Sequence, residues 1–132
     1  MSGLAATTAA SGNLLASLIA RAASAPTTYP IVGGELHYAP SCSEEGLARL
    51  IAMRARLDAA PVGRLRTFVE DRWSRMEVAG LKFLDARDRA IDDARRAVAA
   101  GRPPRKSHPL IAARARETRA WLDLCAWTER LS

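Results

Sequence analysis

The sequence predicts an all-α protein: a helical hairpin with one long central helix and a C-terminal helix, preceded by an arm carrying a short helix and either a small β-hairpin or extended chain. Three observations carry that prediction. Apolar residues at Leu65, Val69, Trp73, Met76, Leu84, Ile91, Ala94 and Val98 keep to one helical face over about ten turns. The other faces of the same stretch carry charges of both signs, from Arg66 and Glu70 to Asp92 and Arg96, so a single stripe is left to bury. Aromatic residues are few (three Trp, two Tyr, two Phe) and alanine is abundant, which suits closely packed helices. Such a helix needs cover, either from neighbouring helices of its own chain or from a second copy. Leu65, Val69, Trp73, Met76, Leu84, Ile91 and Val98 are therefore the expected core or oligomer interface.

With 132 residues the chain can build one domain with a modest core. Residues 1–40 read as a flexible arm and 41–132 as the helical domain. The first dozen positions are mostly Ala, Ser, Thr and Gly, with little to bury. Leu14, Leu15, Leu18 and Ile19 then mark a short amphipathic helix, with Asn13 as its N-cap and Ser24-Ala25-Pro26 as its stop. No basic residue precedes this segment and Arg21 interrupts it, so it reads as a docking helix rather than a secretory leader. Tyr29, Ile31 and Val32, then Gly33-Gly34, then Leu36, His37 and Tyr38 fit a small hairpin.

Ser41 or Ser43 is placed to cap the next helix, with Glu44 and Glu45 in the first turn, where the helix dipole favours negative charge. That helix should run to Ala60 and bury Leu47, Leu50, Ile51 and Leu57 before Pro61 and Gly63 end it. The pair of helices on either side of this break is read as an antiparallel hairpin rather than a groove-reading motif, because the second helix is long and Phe68, Val69 and Trp73 fill its first turns. Gly80 is a candidate kink or close crossing. Ala99-Ala100-Gly101 closes the long helix, and Arg102-Pro103-Pro104-Arg105-Lys106 forms a stiff basic linker. Ser107 or His108 caps the last helix, whose buried side is read as Leu110, Ile111, Thr118, Trp121, Leu122, Cys125 and Leu131.

The formal charge is +6, which suits an anionic partner. Its excess is concentrated in Arg102, Arg105, Lys106, Arg114, Arg116 and Arg119, against Glu117 alone. Arg102, Arg105, Lys106, Arg114 and Arg116 are the expected nucleic-acid contacts. Asp85, Asp88, Asp92 and Asp93 each lie near an arginine, so ion pairing is expected there and not metal binding. Cys42 and Cys125, even with His37 and His108, lack the paired spacing of a zinc site; a buried thiol at Cys125 and a loop thiol at Cys42 are expected. No phosphate-binding loop, nucleophile elbow or His-Glu-x-x-His is present, so no enzyme activity and no cofactor are expected. No apolar run is of membrane-spanning length.

The order of features in the C-terminal two thirds resembles the small subunit of phage terminases. The likeness lies in a helical hairpin ending in Ala-rich sequence, the basic turn Gly101-Arg-Pro-Pro-Arg-Lys106, and Ser107-His108-Pro109-Leu110 opening a helix that carries Glu117, Arg119, Trp121 and Leu122. That resemblance implies a non-catalytic homo-oligomer that binds viral DNA, hands it to a large ATPase and nuclease subunit, and works in the bacterial cytoplasm or with the virion. A structural or adaptor protein of a virion or other assembly, acting through protein contacts, is the competing expectation.

Overall fold

The computed structural model describes residues 15–21 and 39–131. Among them all regular structure is helical: α1 (15–21), a 3-10 turn at Pro40–Cys42, α2 (Glu44–Ala59), α3 (Arg64–Ala99) and α4 (His108–Thr128). The hairpin expected around Gly33-Gly34 and the boundaries expected at Asn13 and at Ser24–Pro26 lie outside the described residues.

Local chemistry sets most helix ends. Ser43 Oγ accepts from the Gly46 N–H at 2.9 Å, with Glu44 and Glu45 in the same turn. Gly46 itself is required by tertiary contact, since a Cβ there would lie 1.6 Å from the Pro40 carbonyl oxygen. At the end of α3, Gly101 takes φ +73° and the Arg102 N–H reaches back to the Ala97 carbonyl at 2.8 Å, with Gly101 N–H on Val98 at 3.0 Å. This αL closure turns the chain sharply into the basic linker. Ser107 then caps α4 by accepting from Leu110 N–H at 3.2 Å. Helix α3 runs unbroken through Gly80, and that glycine marks a close approach: a Cβ would meet Leu18 Cδ2 at 2.9 Å and Ser41 Oγ at 3.4 Å.

α3 and α4 form the main interface and run antiparallel. Near the start of α3, the rings of Phe68 and Trp127 are 4.3 Å apart and Arg72 pairs with Asp123 at 3.1 Å; near its end, Leu110 joins the cluster of Phe83, Leu84 and Ala90. One core cluster gathers Val69, Trp73 and Met76 with Leu50 and Leu57 of α2 and with Trp121, Leu124 and Leu131. The other gathers Phe83, Leu84 and Leu110 with Leu18, Ala39 and Cys42. Along α3 and α4, Glu77, Gly80 and Glu117 fall between the two. α2 is held by Arg54, which lies 5.2 Å over the Trp73 ring and pairs with Glu70 at 3.1 Å, and by Arg56, which donates to the Leu131 carbonyl at 3.1 Å. α1 docks on α3 through fully buried Leu18, an apolar contribution of about 2 kcal/mol, and through Arg21, which pairs with Asp85 at 2.7 Å and Asp88 at 3.0 Å.

The structure corrects several burial assignments. Val69, Trp73, Met76, Leu84 and Ile91 are buried within the chain itself, whereas Leu65 and Val98 are exposed. Those two occupy the terminal turns of a 36-residue helix, about 54 Å long, whose 21-residue partner reaches about 31 Å, so the ends overhang. Ile51 and Leu122, expected inside, are also exposed. On α4 the buried line runs through Leu110, Glu117 and Leu124, at seven-residue steps, with Trp121 and Thr128 beside it, and this rotates Leu122 to solvent. The thiols are reversed from expectation: Cys42, at the end of the 3-10 turn, is buried in the cluster with Phe83, Leu84 and Leu110, and Cys125 is half-buried.

Candidate nucleic-acid interface

The αL closure at Gly101 and the cap at Ser107 fold the linker back over the last turns of α3. Between them lies a cleft of about 570 Å³. Its walls bring together Arg96 of α3, Arg102, Arg105 and Lys106 of the linker, and His108 at the start of α4. Among the described residues Asp93 is the one carboxylate in that lining, and it lies 3.9 Å from Arg96 with both side chains largely in solvent, a pair of little energetic weight. Arg102, Arg105 and Lys106 are all exposed. The cleft is therefore a concentration of cationic side chains at the surface, with phosphate-sized anions as its natural complement.

The other two expected contacts go elsewhere. Arg114 lines a second concavity with Lys106, Ile111, Thr118 and Arg119, so Lys106 joins the first basic surface to the second. Arg116 points to the opposite side of α4, beside Arg75 and Lys82 of α3. The five residues thus divide as Arg102, Arg105 and Lys106 in the cleft, Arg114 adjoining it, and Arg116 apart. Comparison with protein-family models, curated proteins and solved structures returned no match.

Sequence reasoning missed Arg96 and His108, which reach the cleft only because the linker turns back on α3. It also misjudged Glu117. Counted as the counter-charge of the basic stretch, it is fully buried, and burial pushes its carboxyl up to about 7 against the opposing pull of Ser41 and Arg114. Glu77 on α3 is likewise buried and pushed up to about 7, chiefly by desolvation, with Trp73, Arg54 and the Leu15 backbone opposing and Glu70 adding to the rise. Ser41 faces one carboxyl, and Trp73 and Leu15 face the other, but neither carboxyl makes a well-aligned hydrogen bond. The signal for both was available: Glu77 is seven residues before Leu84 and Glu117 is seven before Leu124, each in register with a buried stripe. With Glu117 withdrawn into the core, the exposed face of α4 is more basic than its composition suggests.

Among the described residues no group of three or more His, Cys, Asp or Glu could hold a metal ion. Asp85 and Asp88 are engaged by Arg21. No helix among these residues is long and apolar enough to cross a membrane.

Proposed function

We propose that this chain is a non-enzymatic helical protein that binds DNA as an oligomer, in the manner of the small, DNA-recognising subunit of a phage packaging terminase. The observation that carries the reading is the cleft at the end of α3, where Arg96, Arg102, Arg105, Lys106 and His108 converge around a single carboxylate. Phosphate contacts by such residues give affinity that is sequence-independent and falls steeply with salt. The order of hairpin, basic turn and Ser-His-Pro-Leu helix start supports the finer assignment.

The test is binding of the full chain to a labelled DNA duplex across a salt series. Removing three phosphate contacts lowers the slope of log affinity against log salt by about 2 to 3. The variant R102A/R105A/K106A is expected to show that decrease while keeping its thermal unfolding midpoint, because all three side chains are exposed. An unchanged slope removes the cleft from the DNA surface.

A second reading, a structural or adaptor protein, draws on the aliphatic side chains left in solvent: Val62 at 91%, Leu122 at 61%, Ile51 at 51% and Val98 at 50%. With Val69, Trp73, Met76, Leu84 and Ile91 already covered by the chain's own helices, a subunit contact made through the described residues would draw on exposed positions such as these. Mass in solution, measured with and without DNA, separates the two. A defined oligomer indifferent to DNA favours the adaptor.

A further inference from the structure

We infer that the groove between α3 and α4 on the Arg116 side is a docking site for an acidic amphipathic helix of a partner protein. The groove encloses about 380 Å³ and its lining combines Val78, Ala79 and Ala113 with Arg75, Lys82 and Arg116. Arg75, Val78 and Lys82 stand on one face of α3 at steps of three and four, so an exposed valine is bracketed by cations. Val78 is 46% exposed, although it lies in the middle of a helix that otherwise turns its large apolar residues inward there. Arg75 is engaged by Asp71 at 3.1 Å, while Lys82 and Arg116 have no ion-pair partner among the described residues.

The occupant follows from that combination. An apolar floor gains from aliphatic side chains, and a cationic rim gains from carboxylates beside them; an amphipathic helix with acidic flanks supplies both at matching spacing. DNA offers phosphates for the rim but nothing for the floor, because its backbone has no apolar face to bury. A second copy of this chain is disfavoured by charge, since its net +6 would bring cations to a cationic rim. This site shares no residue with the cleft at Arg102–Lys106, so its test is independent of the DNA-binding reading.

The experiment is a methyl and amide NMR titration of the full chain with three synthetic helical peptides of about 18 residues, a length sufficient to span the groove. They carry one common leucine stripe, with Glu, Gln or Lys at the flanking positions. The Glu peptide is expected to bind saturably and to move the Val78, Ala79 and Ala113 methyl signals, with the Gln peptide at least tenfold weaker. K82E/R116E, whose positions are both exposed, is expected to weaken the Glu peptide at least tenfold and to bind the Lys peptide instead. The proposal is overturned by equal binding of the Glu and Gln peptides, by shifts centred outside the groove, or by no saturable binding. It is equally overturned if duplex DNA moves the same methyls, or if diluting the protein alone does so, which would assign the groove to nucleic acid or to a second copy.

Discussion

Glu77 and Glu117 each bring a carboxyl without a well-aligned hydrogen bond into the interior of a helical core, and their ionisation is coupled to folding. Folded, each holds its proton up to about pH 7; unfolded, each releases it near 4.5. Stability from these groups is therefore full below about pH 4.5 and declines as pH rises to about 7, by at most about 3 kcal/mol per group. Glu117→Met removes the ionisable group at little change in shape. Urea unfolding is expected to find the variant more stable than the parent by about 1 to 3 kcal/mol at pH 8, with a smaller loss between pH 5 and pH 8. Equal midpoints at pH 8 would mean that the carboxyl is hydrated or paired in solution. The cysteines make a second residue-scale prediction. Burial pushes the Cys42 thiol up to about 11, whereas Cys125 is raised less and is half-buried beside Arg49. At pH 8, iodoacetamide should label Cys125 at least tenfold faster, read by peptide mass spectrometry. Neither cysteine's burial was legible from spacing, because Cys42 belongs to a turn whose packing on α3 and α4 is non-local.

At the scale of the element, the ends of α2, α3 and α4 were legible, because Ser43, Pro61, Gly63, Gly101 and Ser107 act within a few residues of themselves. The continuity of α3 at Gly80 was not, because its reason is Leu18, more than sixty positions away in the chain. Gly46 was silent for the same kind of reason: helix propensity counts it as a cost of about 1 kcal/mol, and only the packed 3-10 turn shows that any side chain would collide with the Pro40 carbonyl. Gly46→Ala should therefore destabilise by about 2 kcal/mol or more despite the propensity gain. Gly63→Ala is the contrast. Gly63 has extended backbone and nothing within 4 Å of a new Cβ, so the change carries no steric cost; because Gly63 is the N-cap of α3, where alanine is less favoured than glycine, a loss of at most about 1 kcal/mol is expected, smaller than at Gly46. Chemical denaturation of the two variants side by side checks that order.

For the molecule as a whole, the linker cations could be read directly because they are contiguous, while Arg96 and His108 joined them only through the fold-back of the chain. The same folding separates two tasks along α3. Its middle, at Gly80, receives α1 and the 3-10 turn; its end, from Ala90 onward, walls the basic cleft. Leu18 is the side chain that joins α1 to this middle, and it is fully buried against Gly80. Leu18→Ala should cost about 2 to 4 kcal/mol, the range for emptying a buried leucine site. Because Leu18 lines no part of the cleft, the salt dependence of DNA binding well below the unfolding transition should not move with that loss. A lowered denaturation midpoint with an unaltered salt slope would locate α1 in the scaffold. A slope that falls together with stability would instead make the α1 surface, with Arg21 upon it, part of what the nucleic acid touches, and would shift the DNA-binding face from the end of α3 to its centre.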